Sequence, residues 1–170
     1  MRIASDDGGG WCMSAPDSAD LVSLIVKNLA TLGRIAASLE RAMERDVPIL
    51  GRGENAAVMV AGLIENYYTC LETIFLRISQ FFENNLREKR WHMDLLERMT
   101  LRIEGVRIPA VSEANYGNLM ELLKFRHFRR YYFDLEYDWD LMDFLVKKTR
   151  DAHGLASADL GHFIEFLKKL

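Results

Sequence analysis

An apolar stripe that keeps a helical period for roughly 30 residues constrains this chain more than any other feature. Between about Glu54 and Asn85, Ile64, Tyr67, Leu71, Ile74, Ile78 and Phe81 recur at three- and four-residue steps, and Tyr68, Phe75 and Phe82 widen the stripe at seven-residue intervals. One helix with so broad an apolar face has to be covered on several sides. The stripe therefore predicts a central helix, of a length more natural in an up-and-down bundle than in a small mixed fold.

The flanking segments supply the cover. Asp17 or Ser18 can cap a first helix lined by Leu21, Leu24, Ile25, Leu32, Ile35, Leu39 and Met43, which should end near Arg45 before Pro48, Gly51 and Gly53 break the pattern. Trp91 to Leu101 reads as a short third helix, and Gly105 and Pro109 as the loop after it. Ser112 starts a fourth helix lined by Leu119, Leu122, Leu123 and Phe125. Asp138 or Asp140 can then cap a final helical pair that uses Leu141, Phe144 and Leu145, then Leu160, Phe163, Ile164 and Leu167. No Val/Ile/Thr alternation of useful length appears, so almost no sheet is expected. The fold class expected is all-α, an up-and-down bundle of four to five main helices in one domain over 17–170. Residues 1–16 read as a disordered leader or start-site extension, with Met13 as an alternative start.

Composition excludes several classes. At 49% hydrophobic and 28% charged residues, the 170-residue chain is no extended disordered tail. Its uncharged runs stop short of the roughly 20 apolar residues of a spanning helix, so no membrane span is expected. The leader has no apolar core of a secretory signal, and Gly8-Gly9-Gly10 lacks the Lys-Ser/Thr of a phosphate loop. Cys12 and Cys70 are the two cysteines; they imply no disulfide framework, and a cytoplasmic location is expected, with Cys70 as a small core residue. His92, His153 and His162 fall on separate segments with no paired-ligand spacing, so neither a metal site nor a cofactor is expected. His92, beside Trp91, should pack or bond a backbone carbonyl.

Chemistry concentrates in one place. Leu123 to Phe133 carries Lys124, Arg126, Arg129 and Arg130, the imidazole of His127, and the rings of Phe125, Phe128, Tyr131, Tyr132 and Phe133. The net charge is -3, so any anion binding has to be a local property of this segment. On a helix, Arg126 and Arg130 share a face and repel each other, a pairing that becomes favourable with a phosphate or carboxylate between the two planar forks. Lys124, His127 and Arg129 would widen the positive field. Spacing alone favours a solvated cationic helix end that complements the helix dipole and pairs with Asp134, Glu136 or Asp138.

Three segments resemble one known family. Glu65-Asn66-Tyr67-Tyr68-Thr69-Cys70-Leu71-Glu72-Thr73-Ile74-Phe75 is similar to a Tyr-x-x-x-Glu-x-Ile-Phe helix, and Trp91-His92-Met93-Asp94-Leu95-Leu96-Glu97-Arg98-Met99 to a Trp-His-x-x-Leu-Leu-x-x-Met helix. Phe125-Arg126-His127-Phe128-x-Arg130 leads into Leu135-x-x-Asp138-Trp139. In this order they resemble the HepT-like branch of the HEPN superfamily, over about Leu21 to the C-terminus. The resemblance implies a HEPN-like helical bundle, the toxin of a two-gene toxin–antitoxin module, acting as a homodimer that cleaves RNA, tRNA among the candidates, without a metal ion. It also implies a nucleotidyltransferase-fold antitoxin that silences the toxin by attaching AMP to a tyrosine, for which Tyr131 and Tyr132 are the candidate acceptors. Both rings could equally pack at the helix end.

The chain departs from the family at one informative point. The hallmark is Arg, then four to six residues, then His; Arg126 matches the arginine, but Tyr131 stands at the nearest histidine position and Phe133 at the following tyrosine. An imidazole with a pKa of about 6.5 can exchange a proton near neutrality, whereas a phenol at about 10 is mostly a donor. The expected site is thus a variant Arg-x4-Tyr arrangement of Arg126, Arg130, Tyr131 and His127, with Lys124 and Arg129 as phosphate contacts. His127 points about 100° away from Arg126 on an ideal helix. Glu65 and Glu72, seven apart on the long helix, could each meet an arginine of the fourth helix, and the family motif makes Glu72 the preferred orienting carboxylate. The alternative is a HEPN binding module without catalysis, docking a nucleotidyltransferase or a nucleotide.

Overall fold

The computed structural model describes residues 17–82, 91–131 and 137–170. Asp17 opens α1 (Ser18–Arg41): its carboxylate accepts a hydrogen bond from the Ala19 N–H at 3.3 Å, which satisfies one of the first-turn donors. Leu21, Ile25, Leu32 and Leu39 turn inward. The helix does not end near Arg45. It widens into a π-helical turn over Ala42–Asp46 and resumes as the short α2 (Val47–Leu50). Proline lacks an N–H and its ring crowds the carbonyl four residues back, and the wider turn relieves that conflict at Pro48. Gly51, at φ 77°, stops the run in a conformation that favours glycine.

α3 (Glu54–Phe82) is the central helix that the apolar stripe predicts. It buries Val60, Ile64, Tyr67, Tyr68, Leu71, Ile74, Phe75 and Ile78, and it touches α1, α4 (Trp91–Thr100), α5 (Glu113–Tyr131) and α6 (Trp139–Leu167). Each large side chain removed from water in this way contributes about 1.5–3 kcal/mol, which is why the stripe dictates the architecture. The all-α expectation holds: among the described residues the one extended pairing is an isolated bridge between Ile103 and Arg107, closed around Gly105 at φ 72°. Arg107 is buried there and donates to the carbonyls of Arg98 at 2.8 Å and Leu101 at 3.0 Å, tying the end of α4 to the loop. α5 begins where expected, with Asp159 of α6 accepting from both the N–H and the hydroxyl of Ser112 at 3.0 Å.

The expected C-terminal helical pair is one continuous helix. Asp138 caps α6 by accepting from the Asp140 N–H at 3.0 Å, and the helix then runs through Gly154 and Gly161 unbroken. An interior glycine costs about 1 kcal/mol relative to alanine, and burial of Thr149, Ala152, Ala156, Leu160 and Phe163 offsets it. Leu141 and Phe144, expected on the apolar face, stay exposed. The run Ser18–Leu50 is long and apolar enough to cross a membrane by length and composition, which the sequence reading did not anticipate. It carries Lys27 and Arg34, and its buried leucines and isoleucine belong to the core shared with α3 and α6.

α3 and α6 also meet at a polar contact. The Tyr67 hydroxyl lies 3.2 Å from Nδ1 of His153, and burial pushes the phenol's pKa well above its ordinary value, so the hydroxyl donates and the imidazole accepts. Burial likewise lowers the His153 pKa. A histidine with a depressed folded pKa favours the neutral form, so the unfolded chain binds more protons just below the ordinary value of about 6.5. Stability is expected to be full above that value and to decline as the pH falls below it. Thermal melts between pH 7.5 and 5.5 check this, with His153→Leu expected to flatten the decline.

Candidate functional site

Two carboxylates seven residues apart on α3 face two arginines on α5. Glu72 pairs with Arg126, Nη2 to Oε2 at 2.9 Å and Nη1 to Oε1 at 3.3 Å, and Glu65 pairs with Arg129 at 3.3 Å. The lower-numbered carboxylate meets the higher-numbered arginine, so the two helices run antiparallel. Nη1 of Arg129 is within ion-pair reach of Glu65 but lacks the alignment of a hydrogen bond, which makes this the looser contact.

The Glu72 pair is the tighter and the drier. Side-chain exposure is 8% for Arg126 and 7% for Glu72. The Arg126 Nε donates to the Thr69 hydroxyl at 3.0 Å, so the guanidinium is anchored at both ends by residues one helical turn apart on α3. A third helix joins them: Nδ1 of His92, on the first turn of α4, contacts Oε1 of Glu72. Tyr68 lies against this group, and burial, followed by the charge on Glu72, pushes its hydroxyl's pKa far up and keeps it a neutral phenol. One carboxylate therefore links α3, α4 and α5.

The expected pair of guanidiniums facing one crevice takes a different form. Arg126 turns into the protein toward Glu72, while Arg130 is exposed. Four residues rotate a helix by about 40° and advance it about 6 Å, which carries Arg130 past the carboxylate that holds Arg126. His127 and Lys124 are exposed on α5 as well, Lys124 reaching back to Glu121 at 2.8 Å. Arg129 is half-buried. The helix thus offers an outward edge of two cations, Lys124 and Arg130, with the imidazole of His127 between them, over an inward charged cluster. Tyr132 and Phe133 lie outside the described residues, as do Asp134 and Glu136; of Tyr131 only the backbone, closing α5, is described.

His92 and Thr69 are the residues that sequence reasoning missed. His92 does not simply pack beside Trp91; its Nδ1 meets a carboxylate. The available signal was the Trp-His motif lying across from the helix that bears Glu72. Cys70 is half-buried with its sulfur 3.7 Å from the Asn28 carbonyl oxygens, and burial raises its pKa, which makes it an unreactive thiol. Among the described residues, His, Cys, Asp and Glu do not gather in a group of three or more that could hold a metal ion.

Such a cluster can hold helices in register and orient an imidazole, and the cationic edge beside it can take up an anion. A protein-family model described as HepT-like protein matches residues 59–167, from the first third of α3 to the end of α6. α1 precedes the match. No curated protein and no solved structure matches the chain. The family match spans well over half of the sequence and includes Glu72 and the residues of α4 and α5 that it ties, and on that ground the chain belongs to the HepT-like, HEPN-type family.

Proposed function

We propose that this protein is the toxin of a two-gene toxin–antitoxin module: a cytoplasmic homodimer that cleaves RNA without a metal ion and is silenced by a nucleotidyltransferase-fold partner. The observation that carries the reading is the end of α5, where Arg126 is fixed by Glu72 and Thr69 while Lys124, His127 and Arg130 face outward. A fixed backbone and an exposed row that includes the cations Lys124 and Arg130 suit a phosphodiester, whose charge each cation can neutralise. RNA cleavage of this kind proceeds by attack of a 2′-hydroxyl on the adjacent phosphorus, and it benefits from positive charge on the developing phosphorane. In this reading Arg130 supplies that charge from the surface, and Arg126 holds the helix that presents it; the exposure of the one and the burial of the other support it. Tyr131 and Tyr132 remain the proposed acceptors of AMP.

The burial of Arg126 also favours a second reading, a binding module that engages RNA or a nucleotidyltransferase without turnover, because a guanidinium already bound by a carboxylate is a poor phosphate ligand. Expression in a bacterial host that lacks the partner separates the two. Wild-type protein is expected to arrest growth and to break tRNA in lysates containing EDTA, and Arg126→Ala to relieve both effects. Arg126→Ala strips the buried Glu72 of its guanidinium and leaves it the His92 contact, so Arg130→Glu, at an exposed position, is the companion variant and is also expected to relieve them. Harmless wild-type protein with intact tRNA would leave the binding module as the reading.

A further inference from the structure

We infer that α1 carries a second phosphate-binding row and that a single strand of RNA lies along it, crossing the uncovered face of α3 to reach the cationic end of α5. The inference rests on the RNA substrate of the reading above and adds to it the path along which that substrate is held. The row precedes the matched residues 59–167.

Lys27, Arg34 and Arg41 stand seven residues apart on α1, and Arg45 follows in the π-helical turn. Seven residues make nearly two helical turns, so the first three share a face at intervals of about 10.5 Å. All four residues are exposed. The two arginines of α1 are set alike: Arg34 donates to the Thr31 hydroxyl at 2.9 Å and Arg41 to the Ser38 hydroxyl at 2.8 Å, each reaching three residues back. A hydroxyl orients the planar fork without neutralising it. Among the described residues no carboxylate stands within ion-pair reach of any of the four, whereas Arg52, Arg126, Arg129 and Arg150 each have one. An even row of unneutralised like charges is a match for a polymer that carries one negative charge per repeat.

The row leads toward the site. α1 and α5 both pack on α3 and, among the described residues, do not touch each other, so a strip of α3 stays uncovered between them. Asn55, Val58, Gly62, Asn66, Thr69 and Thr73 follow one another along it at three- and four-residue steps, all exposed except the half-buried Gly62, and none carries a charge. Ser38 and Arg41 of α1 share an open hollow of about 420 Å³ with Gly62 and Asn66 of the strip, and Asp46 is the carboxylate that lines it. Gly62 joins this hollow to α5, because Nη1 of Arg129 lies 3.8 Å from where a Cβ would stand there. A backbone that follows the row can turn a base into the hollow, where the Asn66 amide offers both a donor and an acceptor. A membrane surface fits the row less well: a helix lying in a bilayer interface needs its apolar side free, and Leu21, Ile25, Leu32 and Leu39 of α1 are buried in the core.

The test combines Lys27→Gln, Arg34→Gln and Arg41→Gln in one variant and measures its binding to a labelled single-stranded 2′-O-methyl RNA, which has no 2′-hydroxyl to attack with. Kd at about 0.1 M salt is expected to rise at least about 10-fold, and the slope of log affinity against log salt to become shallower by about 2, since each phosphate contact on a single strand contributes about 0.7. On cleavable RNA in EDTA, KM should rise while kcat stays within about twofold. Arg102→Gln, Lys147→Gln and Lys169→Gln together remove the same charge from exposed positions elsewhere and should keep Kd within about threefold and leave the slope unchanged. If the triple variant does not melt as the wild type does, Lys27→Gln with Arg41→Gln carries the test, with an expected slope change of about 1.4. A folded variant of the row that binds with the wild-type Kd and slope, or a control that loses as much as the row, overturns the assignment and leaves RNA cleavage standing. It is overturned equally if the row is needed for binding to vesicles of about one third phosphatidylserine and not for RNA, or if its loss changes the oligomeric state and not the RNA affinity. A wild type that neither binds nor cleaves RNA removes the underlying reading and this inference with it.

Discussion

Glu72→Ala is expected to destabilise the fold by about 3–5 kcal/mol in denaturant unfolding, a large share of the 5–15 kcal/mol typical of a domain. The loss comes from what remains behind: the Arg126 charge, 8% exposed, with the Thr69 hydroxyl as its remaining partner among the described residues, and a His92 ring without the acceptor for its Nδ1 hydrogen. Glu72→Gln keeps an acceptor oxygen and should lose less. The contrast within the same molecule is Glu40 with Arg150, a bidentate pair at 2.7 Å that is nearly half exposed, where removal of one partner should cost about 0.2–1 kcal/mol because water screens both charges. Equal losses at the two pairs would show that burial of the Glu72 cluster is not what gives it weight.

Phe75→Ala should have an effect of similar size, about 3–5 kcal/mol. The ring is 1% exposed on the helix that every other long element packs against, so its removal leaves a cavity that several neighbours would have to collapse into together. Val26→Ala on the outer side of α1, where half of the side chain is open, should change stability by no more than about 0.5 kcal/mol. Equilibrium unfolding of the two variants in parallel tests whether α3 is the organising element.

The architecture was legible because period and burial are the same fact: Ile64, Tyr67, Leu71, Ile74 and Ile78 recur on one face, and all five are buried. The caps followed from residue chemistry, Asp17 and Asp138 each standing immediately before the helix it opens. The errors arose where packing overrode local preference. Pro48 reads as a stop, but a π-helical turn carries the chain past it; the segment after Asp138 reads as a helical pair, but it is one helix, held together by the buried residues along it. The site was legible in its charges and not in their partners. The seven-residue spacing of Glu65 and Glu72 anticipated two meetings with α5, since both positions fall on one helix face. Nothing in a single segment reveals that Arg126 would turn inward while Arg130 stays out, or that His92 would arrive from another helix, because those outcomes depend on how three helices pack.

Glu72 binds α3, α4 and α5 into one unit through Arg126 and His92. A double-mutant cycle of Glu72→Gln and Arg126→Met, read by equilibrium unfolding, tests it most directly. A coupling of at least about 1.5 kcal/mol is expected, with the double variant more stable than the sum of the two single losses implies, since the pair is removed together and no charge is stranded. Single losses that simply add, within about 0.5 kcal/mol, would mean that the two side chains do not meet in the folded protein and would contradict the site built on them.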